Sequence, residues 1–171
     1  MSLSKFKRIQ LEATYQGFAD RYGEDMHQLA RYCAVPNALT PDLVQTIRVN
    51  MRLAASWEDA ARYLLTEAVR EVDEGIYEMD FNLRQRFVED FEAKEPGQVR
   101  NVARLLLSYY AGILRQGTGH PQYPLARVQQ ITALAFLDPE AAYEELREEF
   151  VRMGEAGAPS ERVRMAVLAE S

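Results

Sequence analysis

The chain has 171 residues, 47% apolar and 27% charged, which fits one ordinary folded domain or two small packed parts and excludes a disordered polymer. A chain of this length can bury roughly 70% of the surface its unfolded form exposes, so it needs no staple to fold. The net charge of −6 argues against a protein that lives on phosphate contacts, and the single cysteine, Cys33, excludes an internal disulfide.

A lone cysteine suits a reducing compartment. There is no run of about eighteen apolar residues, and MSLSKFKRIQ has no apolar stretch of the signal-peptide type. The expectation is a cytoplasmic protein without a membrane span.

Taken in order, Ser4 to Tyr22 reads as a helix, with Phe6, Ile9, Ala13, Tyr15, Phe18 and Tyr22 near one stripe and Gly23 as its stop. A short helix follows from Glu24 to Cys33, with Met26, Leu29 and Ala30 inward, and Pro36-Asn37 breaks the pattern. Thr40-Pro41 is a start signal, a capping hydroxyl followed by proline at the first helical position. Leu43, Val44, Ile47 and Met51 would make that helix's buried face. Ser56 caps the next helix, and Asp59 three residues on completes a variant capping box. This helix is predicted from Trp57 to about Ala68, burying Trp57, Ala61, Leu64 and Leu65.

Val69 to Val72 and Ile76 to Met79 are β-prone runs separated by Asp73-Glu74-Gly75. Glycine near the tip tolerates positive φ, so the stretch predicts a hairpin. Asp80 is placed to cap the helix from Phe81 to Ala93, which carries Leu83, Phe87, Val88 and Phe91. A hairpin wedged between helices after a helix-turn-helix-like lead-in is the layout of a winged helix.

The remainder is helical. Glu95-Pro96-Gly97 breaks the chain before a long apolar helix, Gln98 to Gln116, with Val102, Leu105, Leu106, Tyr109 and Leu114. Gly117-Thr118-Gly119-His120-Pro121 leads to Leu125–Leu137, Asp138-Pro139 starts Glu140–Met153, and Gly154 to Pro159 forms a joint before a short helix capped by Ser160 and ending at Ala169. The predicted fold is mainly α. A leading helix and a winged-helix-like unit with one small β-hairpin occupy residues 1–93. An antiparallel helical bundle over 97–171 packs on it as one globular body.

Four stretches read together: FADRYGEDMHQLARYCAVPNALTPDLVQTIRVNM, WEDAARYLLTEAVREVDEGIYEMDFNLRQRFVEDF, QQITALAFLDPEAAYEEL and ERVRMAVLAES. They resemble a helical module of large multidomain bacterial proteins, notably cyanobacterial ones. There it stands beside MoxR-type or STAND-type ATPase, von Willebrand A, caspase-like protease and formylglycine-generating-enzyme or C-type-lectin domains. The most specific part is Arg70-Glu71-Val72 with Tyr77-Glu78-Met79-Asp80, which is similar to the winged helix of STAND ATPases, with Leu83 and Arg84 in the helix that follows. The resemblance implies a part in a bacterial conflict or signalling system and supplies no catalytic residues. It implies as partner an ATPase, protease or lectin-like component. These 171 residues hold no such module, so the expectation is either an excised module or a stand-alone version of it.

A winged helix can bind DNA, with one helix in the major groove and the hairpin on phosphate. From Glu24 to Asp80, however, there are five basic residues against eleven acidic ones, a balance of −6. Asp73 and Glu74 at the tip would repel a polyanion. His27 and Cys33 lie six residues apart, which is not a same-face helical spacing, so a surface histidine and a core cysteine are expected in place of a nucleophile and base. The Gly117–His120 loop lacks the strand, helix and Lys-Ser or Lys-Thr of a phosphate loop. Glu144, Glu145, Glu148 and Glu149 have no histidine beside them and read as a solvated face with Arg147 and Arg152. Trp57, Tyr63, Tyr77, Phe81 and Phe87 read as core around the hairpin, with the alternative that some stay at the surface as anchors for a partner, and of Tyr109-Tyr110 only one can face a given core.

No catalytic, cofactor-binding or metal-ligating set is assigned. The reading is a non-enzymatic adaptor or regulatory module. Its acidic winged-helix face would dock a protein through Glu71, Asp73, Glu74, Tyr77 and Glu78, with Arg84 and Arg86 just after, and self-association is a further option. The alternative is a DNA-binding transcription regulator. A small hydrolase or redox enzyme built on His27, Cys33 and His120 is the remaining rival.

Overall fold

The computed structural model describes residues 5–156. Eight helices and one two-stranded sheet follow in the order α1 (Lys5–Tyr22), α2 (Glu24–Cys33), α3 (Pro41–Asn50), α4 (Trp57–Tyr63), β1 (Val69–Asp73), β2 (Ile76–Met79), α5 (Phe81–Lys94), α6 (Gln98–Gln116), α7 (Tyr123–Leu137) and α8 (Pro139–Ala156). The fold is mainly α with one small β-hairpin. The chain divides into two compact units, Met1–Val102 and Ala103–Ser171, so the boundary falls within α6, beyond the Glu95–Gly97 break.

Local chemistry sets the helix ends of the first unit. Gly23 (φ +88°) stops α1 and opens α2, its N–H bonded back to the Ala19 carbonyl at 2.8 Å. The Thr40 hydroxyl accepts from the Leu43 N–H at 3.2 Å, with Pro41 in the first turn. At α4 both halves of the capping box form. The Asp59 N–H donates to Ser56 Oγ at 3.0 Å, and the Ser56 N–H donates to Asp59 Oδ2 at 2.9 Å. Asp80 Oδ1 accepts from the N–H groups of Asn82 and Leu83 at the start of α5.

The helix α4 is shorter than predicted, ending at Tyr63 instead of Ala68. The chain tightens there, with Leu65 N–H on Arg62 O and Thr66 N–H on Tyr63 O. The Thr66 hydroxyl also donates to the Tyr63 carbonyl at 2.7 Å, competing with helix continuation.

In the first unit α2 is central, packing against α1, α3, α4 and α5. Tyr15 and Phe18 of α1, His27 of α2 and Phe87 of α5 form an aromatic cluster whose ring centroids lie 4.9 to 6.2 Å apart. Leu43, Val44 and Ile47 of α3 and Ala60 and Tyr63 of α4 are also buried. Of the stripe expected on α1, Tyr15 and Phe18 are buried, while Ile9 and Ala13 are exposed. Met51 is only half-buried, just past the end of α3.

The hairpin pairs Val69 with Met79, Arg70 with Glu78, Glu71 with Tyr77 and Asp73 with Ile76. The register slips between Glu71 and Asp73, leaving Val72 as a bulge, and Gly75 adopts φ +67° at the turn. A third segment joins the sheet. Leu39, between α2 and α3, exchanges both backbone hydrogen bonds with Tyr77, at 2.8 and 2.9 Å. The order helix, single bridge, two helices, hairpin is that of a winged-helix layout, with α4 in the place of its second helix-turn-helix helix.

In the second unit α7 and α8, separated by Asp138, pack as an antiparallel pair with Ile131 buried against Val128 and Leu146. Arg127 of α7 reaches Glu145 at 2.7 Å and Glu149 at 3.3 Å on α8. The acidic face therefore does more than meet solvent, since two of its four glutamates clamp the helices together. Gly154 to Ala156, expected in a joint, continue α8. The rest of that joint and the helix from Ser160 to Ala169 lie outside the described residues.

Candidate functional site: an acidic hairpin and its surroundings

The bulge and the Glu74-Gly75 turn present three carboxylates around the hairpin tip, those of Glu71, Asp73 and Glu74. Two of them brace it. Glu71 Oε1 accepts from the Gly75 N–H at 2.9 Å, and Asp73 Oδ1 accepts from the Glu74 N–H at 2.8 Å. Glu71, Asp73 and Glu74 are exposed. Glu78 is half-buried opposite Arg70, and Tyr77 is half-buried with its backbone committed to Leu39. The tip thus carries negative charge on a hairpin whose second strand is held by Leu39 at Tyr77, opposite Glu71.

The two arginines expected beside this set are used elsewhere. Arg84 is buried. Its Nε donates to the Ala34 carbonyl at 2.8 Å and its Nη2 to the Val35 carbonyl at 3.0 Å. Burial lowers its pKa to about 10, so it stays charged at neutral pH. It is a staple between α5 and the end of α2, and no surface contact is open to it. Arg86 is half-buried, its guanidinium 4.2 Å from the Tyr15 ring centroid and its Nε 3.1 Å from Glu12 Oε2. That ion pair lowers the Glu12 pKa and raises that of Arg86.

His27 and Cys33 are both buried, which corrects the expectation of a surface histidine. His27 Nδ1 lies 3.2 Å from Arg31 Nη1, so the neutral ring accepts a hydrogen bond from the guanidinium. Burial first, then the Arg31 charge, lowers the His27 pKa. Burial raises the Cys33 thiol well above its ordinary value, which keeps it protonated. Around Arg31 stand Glu24 at 3.4 Å, Glu95 at 3.5 Å and Asp90 at 3.7 Å, while the Tyr32 hydroxyl donates to Glu95 at 2.7 Å. This network ties α2 to α5 and the segment after it. His120 Nδ1 accepts from the Gln122 N–H in the connector before α7. Among the described residues no group of histidine, cysteine and carboxylate side chains could hold a metal ion.

Of the aromatics assigned to the core, Tyr63 and Phe87 are fully buried and Tyr77 and Phe81 half-buried. Trp57 is 64% exposed and Leu65 is 84% exposed, with Ala61 exposed between them. Three of the four residues predicted to be buried here, Trp57, Ala61 and Leu65, therefore face outward, while Leu64 is buried as predicted, together with Ala60 and Tyr63. Both faces of WEDAARYLL carry apolar residues, so periodicity alone could not choose between them. Tyr110 is buried and Tyr109 half-buried, as adjacency on one helix requires.

Comparisons of the chain with protein-family models, with curated proteins and with solved structures find no match. Among the described residues no helix is long and apolar enough to cross a membrane.

Proposed function

We propose that this chain is a non-enzymatic adaptor or regulatory module that docks a basic protein surface through its acidic hairpin. The observation that carries the reading is the placement of Glu71, Asp73 and Glu74. They are exposed on a tip whose turn is braced by two of those same carboxylates and whose second strand is tied to Leu39 through Tyr77. Complementary potential of this kind speeds encounter and fixes orientation. The lone buried cysteine suits a cytoplasmic setting. The resemblance suggests the partner, an ATPase, protease or lectin-like component of a bacterial conflict or signalling system. The test is titration of such a component, taken from a neighbouring reading frame, against wild type and the Asp73→Lys/Glu74→Lys double variant. A loss of at least about tenfold in affinity is expected from reversing two rim charges. Unchanged affinity would sink hairpin docking.

The winged-helix order favours a second reading, a DNA-binding regulator with α4 in the groove. The eight acidic against two basic residues from Trp57 to Asp80 oppose it. A gel shift at low salt separates the two readings, and the absence of any shift at micromolar protein removes the second.

A further inference from the structure

The outward face of α4 is the feature that hairpin docking leaves unused. Trp57 and Ala61 lie one turn apart on α4, and Leu65 follows in the tightened turn that closes it, all three exposed. Two large apolar side chains at 64% and 84% exposure, on a unit whose other large apolar residues mostly find a core, cost solvation without return unless something covers them. Their setting is acidic. Glu58 and Asp59 lie in the first turn of α4, and β1, with the hairpin carboxylates after it, begins four residues past Leu65, while Glu67 between them is ion-paired with Arg21 of α1. The two basic residues of this stretch already have acidic neighbours, Arg62 Nη1 standing 3.7 Å from Asp59 Oδ1 and Arg70 paired across the strands with Glu78.

We infer that the Trp57–Ala61–Leu65 stripe is the anchor for a basic amphipathic helix of a partner protein. The inference rests on the adaptor reading above, not on hairpin docking itself, and names the partner's chemistry. An exposed aromatic side chain at the start of α4 and an exposed aliphatic one in its closing turn give two anchor points for the apolar face of a partner helix. The acidic surroundings select Lys and Arg on the partner's flanks and disfavour both nucleic acid and anionic lipid.

Trp57 is the sole tryptophan, so its fluorescence reports this site alone. The probe is a synthetic leucine/lysine peptide of about twenty residues with helical periodicity. Its controls are a leucine/glutamate analogue and a leucine/lysine peptide scrambled to destroy the stripe. The expected result is a saturable blue shift and reduced acrylamide quenching with the first peptide only. Leu65→Ser, an exposed change checked for folding by circular dichroism, should weaken binding by about tenfold or more. Equal shifts with the glutamate or scrambled peptide, or wild-type affinity in Leu65→Ser, overturn the inference. So does a shift driven by anionic vesicles or by protein concentration alone. If Asp73→Lys/Glu74→Lys abolishes binding and Leu65→Ser does not, the hairpin reading stands and the stripe falls. If Leu65→Ser abolishes it and the charge reversal does not, the stripe stands and hairpin docking falls.

Discussion

Arg84 shows what a single buried charge can hold together. The last carbonyls of a helix lack intrahelical donors, and the dipole makes that end negative. Here the guanidinium from α5 meets the Ala34 and Val35 carbonyls just past α2 with two nitrogens. Removing it leaves two buried acceptors unpaired and a cavity beside the central helix. Arg84→Met is therefore expected to lower stability by about 3 kcal/mol, measured by urea denaturation. Arg84→Lys should recover less than half of that, because a lone ammonium cannot match a planar two-donor fork. A lysine variant as stable as wild type would show that charge alone is at work. Sequence spacing could not reveal this role. An arginine next to a hairpin looks like a surface residue until the chain segment fifty residues upstream is in place.

Among elements, the legible features were those with a local cause. The starts of α2, α3 and α5 and the hairpin strands follow from glycine, proline, hydroxyl and carboxylate chemistry within four residues, and the sequence carries all of it. The Leu39–Tyr77 bridge was missed because its partners are far apart in the chain, and a single bridging residue leaves no alternation to read. The orientation of α4 was missed because packing against α2 and α3, not local pattern, selects its inner face. Another hidden feature closes α3. Arg52 takes φ +53°, with its N–H on Val49 O and the Leu53 N–H on Arg48 O, a Schellman arrangement that usually holds glycine. An L-residue there costs about 1–2 kcal/mol, and glycine returns part of the gain through backbone entropy. Arg52→Gly should thus raise stability by about 0.5–1 kcal/mol and the melting temperature by about 2 °C, read by calorimetry. A lower melting temperature would mean that the Arg52 side chain makes a contact worth more than the strain.

At the scale of the molecule, the buried polar network of the first unit makes its stability depend on pH in two separate windows. His27 is neutral when folded, packed among Tyr15, Phe18 and Phe87 and accepting from Arg31. The charged groups around it are Arg31 and Glu24 on α2 and Asp90 and Lys94 on α5, and burial with the Arg31 charge outweighs the two carboxylates in lowering its pKa. The unfolded chain therefore takes up a proton at this residue that the folded chain refuses. Stability from this group is fully present above the unfolded value of about 6.5 and falls as pH drops from there to the lowered folded value. A second fall comes further down, as Glu12, Asp59, Glu67 and Asp90 protonate, since each has a lowered pKa in the fold and contributes stability that is present above the unfolded carboxylate range of about 4 and lost below it. His27→Gln keeps an acceptor for Arg31 and cannot titrate. Its urea midpoint, followed from pH 8 to pH 3, should stay level between pH 7 and pH 5 where wild type declines, and then fall with wild type in the carboxylate window. Parallel curves across both windows would show that the proton affinity of His27 is unchanged on folding. That result would remove His27 from the account of how the stability of this unit depends on pH.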